Sequence, residues 1–370
     1  MNIWALVVSA LAAALTTPLV IMLYRRFGWI EDPTKVVHVK TTHTRPVPRG
    51  GGIVIFAAVL IGAIAFLHLD KYLIAILLGG ALLTLAGFLD DIYNIHPFWR
   101  LGLGFVAAAL VVGAGIGIAY VTNPFGPEVI HLDQPQFQFF LFGRMHSIWI
   151  IADVLALFFI VWNMNIVNWS KGLDGQMPGF VAIAAIFIGL LSERFRDDPT
   201  QFNTMTLSFI VAGAFLGFLW WNKYPQKILP GYGAGSLAGY FLAVLAILSG
   251  AKLATSLMVL AIPTADAVFT ISRRLRAGKS PWWGDRGHLH HRLMDVLGWG
   301  RRRIALFYWG TTFVMGFLAL RLNTMGKLVT IAVTSLLVFG FLVWAKLQSA
   351  ERTEISALRR KSQAHKGLSS

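Results

Sequence analysis

Long apolar runs, separated by short polar segments, form the main pattern of the sequence. A run of about 20 mostly apolar residues is long enough for an α-helix to cross the hydrocarbon core of a bilayer. Runs of this kind lie at residues 3–24, 51–68, 72–89, 101–121, 148–168, 178–192, 204–221, 236–250, 253–271, 304–321 and 328–346. The pattern predicts an all-α polytopic membrane protein with about 11 transmembrane helices.

Some runs depart from this simple pattern. The runs 178–192 and 236–250 are short, so we expect them to lie among protein neighbours or to begin in a polar cavity. The run containing Pro263 should be kinked, because proline removes a backbone donor. Aspartates in apolar runs are often functional, but we interpret Asp153 and Asp266 as structural residues.

The composition agrees with a membrane protein. Hydrophobic residues make up 56% of the 370 positions and charged residues only 13%, whereas soluble proteins carry about 25% charged residues. The absence of cysteine excludes disulfides, thiolate metal sites and cysteine nucleophiles. We expect residues 1–350 to form a single transmembrane domain, followed by a basic tail at 351–370.

The net charge of +15 comes from Lys and Arg residues that lie mainly in the polar segments. Because cytoplasmic loops are rich in these residues, their distribution predicts an N-terminus outside and a C-terminus inside the cell. A basic inner face also attracts phosphorylated ligands and anionic lipid headgroups. On the outer side, the stretch Glu128–Phe140 mixes strand-forming residues with Gln, Asp and Pro, which predicts a small external β-hairpin.

The first two polar clusters along the chain lie on the predicted inner face. The loop Thr41–Gly52 contains Arg45 and Arg49 between prolines and glycines, and it can bind a phosphate or lie as a basic loop at the membrane interface. Asp90 and Asp91 follow the third apolar run. Adjacent carboxylates favour Mg²⁺ binding or proton transfer, and a solvated helix end is the alternative.

Two further clusters follow along the chain. Asn165 and Asn168 share one helical face and precede Asp174, which lies in a predicted turn. The carboxamides can bind a nucleobase or a sugar and the carboxylate can bind a metal, or all three residues form helix caps and turns. The glycine-rich segment Tyr224–Gly239 can bind an anion at a helix N-terminus or form a tight re-entry into the bilayer.

The strongest cluster combines arginines and histidines beside Asp285. Its members are Arg286, His288, His290, His291 and Arg292. So many potential cations favour recognition of a pyrophosphate. A histidine zinc site is the competing interpretation, but the basic surroundings would repel a metal cation.

These segments, in this order, resemble the polyprenyl-phosphate N-acetylhexosamine-1-phosphate transferase family. The shared motifs are HTRPVPRGGG, GFLDD, NIVN with GLDG, SGAKLATSLMVLAIPTADAVFTISRRLRAGKSP and GDRGHLHHRL. The resemblance extends from about Thr17 to Leu322 and is closest to the bacterial undecaprenyl-phosphate N-acetylglucosamine-1-phosphate transferases, with phospho-N-acetylmuramoyl-pentapeptide transferase more distant. It implies transfer of a sugar 1-phosphate, as N-acetylglucosamine 1-phosphate, from a UDP-sugar to a polyprenyl phosphate, with release of UMP.

The resemblance also implies cofactors, partners and location. It predicts Mg²⁺, with Mn²⁺ as a substitute, and a bacterial plasma-membrane protein whose active site faces the cytoplasm and initiates cell-envelope glycan synthesis. UDP-sugar, polyprenyl phosphate and membrane lipids are the expected partners, a homodimer is an option, and nucleic acid is not expected. The predicted catalytic and metal-binding residues are Asp90, Asp91 and Asp174. The predicted substrate-binding residues are Arg45, Arg49, Asn165, Asn168, Lys171, Arg286, His288, His290, His291 and Arg292.

Two positions depart from the family pattern. Lys171 stands where the family string has an aspartate, and Gly233 stands where the family has a magnesium-binding aspartate. Three interpretations follow: the remaining aspartates hold Mg²⁺ with water and substrate phosphates, Lys171 neutralises the pyrophosphate, or the chain is a non-catalytic relative that binds a lipid phosphate or nucleotide. A transporter is disfavoured, because the charges gather at one interface and no repeat is evident.

Overall fold

The computed structural model describes residues 2–34, 45–126, 128–141, 144–195, 197–249, 253–280 and 286–367. Residues 41–44 of the first polar cluster and Asp285 of the last lie outside these ranges. The helices are α1 (Ile3–Arg26), α2 (Gly51–Phe66), α3 (Lys71–Tyr93), α4 (Pro97–Gly113), α5 (Ile150–Trp169), α6 (Gln176–Glu193), α7 (Pro199–Asn222), α8 (Gly231–Leu248), α9 (Leu253–Val259), α10 (Ala261–Arg276), α11 (Leu289–Leu297), α12 (Arg301–Arg321) and α13 (Thr324–Gly367).

Eight helices in the described ranges are long and apolar enough to cross a membrane. They are α1, α3, α5, α6, α7, α8, α12 and the first part of α13. The pair α9 and α10 passes the same test together, whereas α2 and α4 are shorter apolar helices. The prediction of a mostly helical, polytopic membrane protein is therefore confirmed, and each predicted run has a helix or helix pair. The number of 11 spans and the orientation stay predictions, as does the division at residue 350.

Helices α6, α7 and α8 form the interior of the bundle. Between 78% and 83% of the residues in their apolar segments are buried by other parts of the protein. In α1 the corresponding share is 28% and in α13 it is 22%, so these two helices lie at the periphery. The two short runs were expected among protein neighbours, and they correspond to the interior helices α6 and α8.

A sharp bend separates α9 from α10. The two helix axes meet at 78° with only Leu260 between them. Pro263 lies three residues further on and has no N–H to donate to the carbonyl of Val259, so the helical ladder is interrupted there. The predicted kink is therefore present, and it directs α10 and Asp266 towards the following polar segment.

Short antiparallel strands lie between α4 and α5. Strand β3 (Tyr120–Thr122) pairs with β4 (Val129–His131), and β5 (Gln136–Leu141) pairs with β6 (Arg144–Trp149). The stretch Glu128–Phe140 therefore does not form a hairpin of its own, because β4 pairs back with β3 and β5 pairs forward with β6. The side of the membrane on which these strands lie stays a prediction. A further short pair, β1 (Ile30–Glu31) and β2 (Val47–Pro48), brings the start of α2 next to the end of α1.

Candidate active site

The predicted polar clusters meet at one end of the bundle. Asp91, near the end of α3, lies against Gly231 at the start of α8. Lys171, in the connection between α5 and α6, donates a hydrogen bond to the carbonyl of the same glycine. His290 in α11 lies against Gly172, the next residue in that connection. Segments far apart in the sequence thus contribute neighbouring side chains.

Asp91 lies in a tight environment around Gly231. A Cβ atom added to Gly231 would lie 2.7 Å from Asp91 Oδ1 and 2.5 Å from the carbonyl oxygen of Arg49. Gly231 also has φ +65°, a conformation that favours glycine. The buried Oδ1 of Asp91 has no hydrogen-bond partner in the described part of the chain, and the Tyr24 side chain lies beside the carboxylate.

Lys171 lies between polar groups of three segments. Its ammonium donates to Asn168 Oδ1 at 2.7 Å and to the Gly231 carbonyl. The carboxylates of Asp90 and Asp91 attract it electrostatically. Burial lowers the pKa of Lys171 to about 7, the nearby arginines add to this shift, and the two aspartates oppose it. An anionic ligand beside the ammonium would favour its charged form.

Asp90 faces a different partner from its neighbour. Both of its carboxylate oxygens accept from one Arg100 nitrogen, at 3.2 and 3.3 Å. The hydroxyl of Tyr232 donates to the Arg100 carbonyl at 3.0 Å, and the guanidinium lies 5.4 Å from the centre of the Tyr232 ring. This arrangement joins the end of α3 and the start of α4 to the first turn of α8.

Asp174 is also close to an arginine. Its Oδ1 lies 3.5 Å from Arg301, the first residue of α12, and its Oδ2 accepts the backbone N–H of Gln226 at 3.3 Å. The adjacent Gly175 donates its N–H to Asn222 Oδ1 at 3.0 Å. The predicted turn around Asp174 is therefore held from both α7 and α12.

The two asparagines have different surroundings. The Asn165 amide nitrogen donates to the Val161 carbonyl at 2.8 Å, a contact within α5. Asn168 holds Lys171, and its side chain lies against Gly235 of α8, where an added Cβ would come within 2.3 Å of Oδ1. Asn168 thus lies in the same group as the aspartate pair, whereas the amide of Asn165 is used within its own helix.

The histidine motif is positioned by Asp266. The Asp266 carboxylate lies 2.9 Å from His288 Nδ1 and accepts the N–H of Leu289 at 2.8 Å, at the start of α11. His288 and His290 are stacked with ring centres 5.8 Å apart, and His291 lies 4.3 Å from His290. Asp266 is therefore a positioning residue, as its structural interpretation implied.

The charged residues around this motif differ in exposure. Burial lowers the pKa of His291 to about 4, and Arg286 and His288 strengthen the shift. Arg286 forms a two-pronged pair with Asp295, at 2.8 and 3.3 Å. Arg292 is half-buried in α11.

The predicted phosphate-binding arginines of the first cluster also differ. Arg49 Nε lies 2.8 Å from Glu31, and its guanidinium interacts electrostatically with Asp91 and Lys171. Arg45 is exposed. Arg49 therefore belongs to the group around Asp91, whereas Arg45 lies on the surface.

Gly233 is a packing residue. A Cβ atom at this position would lie 3.2 Å from the Cα of Gly52 and 3.3 Å from the Cα of Gly87. The backbones of α2, α3 and α8 therefore touch where the family pattern places a metal-binding aspartate. A larger side chain at Gly233 requires these helices to separate.

The described residues do not fit the predicted Mg²⁺ ligands as a set. Asp90 and Asp174 lie beside arginines, and no group of three or more His, Asp or Glu residues in the described ranges is arranged to hold a metal. Asp91 Oδ1 and Asp174 Oδ1 are both buried without a hydrogen bond to this part of the chain, but the second of them faces Arg301. The need for Mg²⁺ therefore stays a prediction.

Sequence reasoning missed the arginine partners of the aspartates. Arg100 and Arg301 each lie in the first turn of a helix after a short connection, and neither was among the predicted site residues. The signal that could have found them is charge balance, because a buried carboxylate needs a partner. For Arg100, the indication was its position only ten residues after Asp90, across the short connection between α3 and α4.

Comparison with known proteins gives a consistent result. Residues 73–250 match the family described as Glycosyl transferase family 4. The chain is 26% identical to a probable undecaprenyl-phosphate N-acetylglucosaminyl 1-phosphate transferase of Bacillus subtilis, over 93% of this chain and 90% of the relative. It is 27% identical to a decaprenyl-phosphate N-acetylglucosaminephosphotransferase of Mycolicibacterium smegmatis, over 81% and 77%. It is 29% identical to a phospho-N-acetylmuramoyl-pentapeptide-transferase of a Thermoanaerobacter species, over 86% and 97%. The resemblance found in the motifs is confirmed.

Proposed function

We propose that this protein is a membrane enzyme that catalyses the same type of reaction as the polyprenyl-phosphate sugar phosphotransferases to which it is related over most of its length. It transfers a sugar 1-phosphate, N-acetylglucosamine 1-phosphate in the first instance, from a UDP-sugar to undecaprenyl phosphate or another polyprenyl phosphate. UMP is the second product. The lipid-linked sugar would start a cell-envelope glycan.

One observation carries this proposal. Carboxylates and cations that are at least partly buried lie side by side at one end of an apolar bundle, around the contact of Asp91, Lys171 and Gly231. Phosphoryl transfer depends mostly on positioning and on neutralising the phosphate charges. Such a mixed cluster at the end of apolar helices suits a reaction between a soluble nucleotide and the phosphate of a lipid.

The reaction needs no redox partner. An oxygen of the lipid phosphate forms a bond to the phosphorus that carries the sugar. The bond from that phosphorus to the bridging oxygen breaks, and UMP leaves with its electron pair. We assign Asp91 to orient the attacking phosphate or accept its proton, because its Oδ1 is buried without a hydrogen bond to the described residues.

The histidine motif is assigned to the donor nucleotide sugar. His290 lies against Gly172, so α11 meets the connection that carries Lys171 and Asp174. Arg286, at the edge of this motif, is partly exposed and can meet an incoming diphosphate. We place this end of the bundle in the cytoplasm, where nucleotide sugars are made, and the bundle in the bacterial plasma membrane.

A direct assay tests the reaction. The purified full chain is incubated with undecaprenyl phosphate and a panel of UDP-sugars, in Mg²⁺, in Mn²⁺ and in EDTA, and UMP and the lipid product are measured. We expect UMP with at least one donor, and a loss of at least about a hundredfold for Asp91→Asn.

Asp70→Asn is the matched control. Asp70 lies at the other end of α3, where its carboxylate caps the helix by accepting from Leu73 at 2.7 Å. Asparagine caps a helix about as well as aspartate, so activity should be unchanged. Nucleotide binding without UMP release from any donor, in any of the three conditions, would instead support the non-catalytic binding protein.

A further inference from the structure

Two of the three predicted metal ligands face cations of the protein itself. Arg100 contacts both oxygens of Asp90. Arg301 lies 3.5 Å from Asp174. A divalent cation held by both carboxylates would have to displace or repel these guanidinium groups. The positive charge at this site is therefore supplied, at least in part, by the chain.

Lys171 lies beside the first of these two pairs, Asp90 and Arg100. Its ammonium is held by Asn168 Oδ1 and by the carbonyl of Gly231, and it is attracted by Asp90 and Asp91. A carboxamide oxygen, a backbone carbonyl and carboxylates are the types of ligand that a hard metal ion takes. Here they surround an ammonium group that is covalently attached to the chain.

The second position that lacks a family carboxylate is closed. Gly233 touches Gly52 and Gly87 through backbone atoms, so a side chain there has no space beside the site. Lys171 and Gly233 therefore change the charge of the site in the same direction. Two carboxylates of the family pattern are absent, and one fixed cation is added.

Building on the proposed transfer reaction, we propose that Lys171 takes the place of a divalent metal ion in binding the donor diphosphate. An ammonium has three N–H donors, and two of them are directed to Asn168 and Gly231. The third can bind a phosphate oxygen, and the Arg49 guanidinium, which interacts with Lys171, adds a second positive charge. The diphosphate then binds, and transfer proceeds, without a metal.

Binding of UDP, measured by calorimetry on the full chain in detergent, tests this without relying on turnover. For the unmodified chain, we expect the dissociation constant in EDTA to be within about twofold of that in Mg²⁺, since the fixed cation replaces the metal charge. A dissociation constant that falls by about tenfold or more when Mg²⁺ is added overturns the inference.

Substitutions at Lys171 give a second, independent readout. Lys171→Met keeps the length of the side chain and removes the charge, and we expect UDP binding in EDTA to weaken by about tenfold or more. Lys171→Asp should bind UDP only when Mg²⁺ is present, because it supplies a carboxylate in place of the cation. Lys71→Met is the control, because Lys71 begins α3 at the end opposite to Asp91.

The outcomes separate this inference from the proposed function. If UDP binds without metal and this binding is lost in Lys171→Met, but no donor yields UMP, the role of Lys171 is supported and the proposed enzyme activity is contradicted. If UMP forms but its formation stops in EDTA, the enzyme activity is supported and the role of Lys171 is contradicted. Unchanged UDP binding in correctly folded Lys171→Met also contradicts the role of Lys171. Should a Lys171 variant not fold, the comparison of the unmodified chain in EDTA and in Mg²⁺ decides.

Discussion

The carboxylate of Asp266 joins α10 to the histidine motif, with Oδ2 lying 2.9 Å from His288 Nδ1 and Oδ1 accepting the backbone N–H of Leu289. An aspartate in an apolar helix thus has two partners from a segment more than twenty residues away, with sequence separations of 22 and 23. The bend between α9 and α10 places this carboxylate next to the start of α11.

We expect Asp266→Ala to disrupt both the fold of α11 and the proposed transfer. The change leaves the buried N–H of Leu289 and the His288 ring without their acceptor, which costs about 1–3 kcal/mol for each unsatisfied group. Thermal unfolding in detergent should show a lower Tm, and UMP release should fall.

Asp266→Asn is the informative comparison. Its amide oxygen can still accept from Leu289, but the charge beside His288 is lost. We expect a smaller loss of Tm than for Asp266→Ala and a clear loss of UMP release. Equal Tm values for the two variants would contradict the role of Asp266 as an acceptor for Leu289.

Arg100→Leu should destabilise the protein because it leaves the carboxylate of Asp90, which is only 3% exposed, without its cation. We expect a cost of about 1–3 kcal/mol in the free energy of unfolding, since a buried charged group loses its hydrogen bonds. Urea unfolding of Arg100→Leu, of Asp90→Asn and of the double variant measures the coupling free energy between Arg100 and Asp90. Strictly additive effects would contradict a direct pair.

The stability of the fold should decrease in mild acid because of His291. Burial lowers the pKa of its imidazole from the ordinary 6.5 of a free side chain to about 4 in the folded chain. Between these pH values the unfolded chain binds a proton that the folded chain does not, so the free energy of unfolding falls as the pH is lowered from 6.5 towards 4. Above the ordinary pKa of histidine this contribution is fully present.

Melting curves across this pH range check the prediction. His291→Gln has no proton to gain, so its Tm should fall less between about pH 7 and pH 5 than that of the unmodified chain. His131→Gln is a control, because His131 lies in β4 with a largely exposed side chain. Parallel pH profiles for the unmodified chain and His291→Gln would contradict the buried, neutral state.

Gly233→Ala should destabilise the bundle, because the new Cβ would meet the backbones of α2 and α3 at 3.2 and 3.3 Å. We expect a cost of about 1–3 kcal/mol, as for other overpacked interiors. Gly310→Ala is the matched control: Gly310 lies inside α12, and an added Cβ there would meet no neighbouring helix within 4 Å. That change should be neutral or stabilise the helix by up to about 1 kcal/mol. A larger loss of Tm for Gly310→Ala than for Gly233→Ala would contradict the packing.

The helices could be predicted because bilayer thickness sets the length of an apolar run, and Pro263 marked the bend for a local chemical reason. The grouping of Asp91, Lys171 and His290 was suggested by their motifs. The partners of the carboxylates could not be predicted in the same way. Whether Asp90 faces a metal or Arg100 depends on how α3 and α4 pack, and this is not a local property of either segment.

Gly233 is a second position whose role could not be predicted from the local sequence. The sequence presents it as a missing carboxylate in a glycine-rich turn. The structure shows that the position is occupied by the crossing of three helices. A residue alignment compares side chains one position at a time, whereas the space available for a side chain is set by its neighbours in three dimensions.

The contact of Gly52, Gly87 and Gly233 also bears on how firmly the site is held. Backbone atoms that touch directly have no rotamers, so this crossing cannot adapt by rearranging side chains when a substrate enters or leaves. Asp91 and the carbonyl of Gly231 are attached to these same helices, so they form a rigid, preorganised surface against which a phosphate can be positioned. Adjustment during a reaction cycle would then fall to long side chains outside the crossing, such as Arg49, whose guanidinium interacts with Asp91 and Lys171.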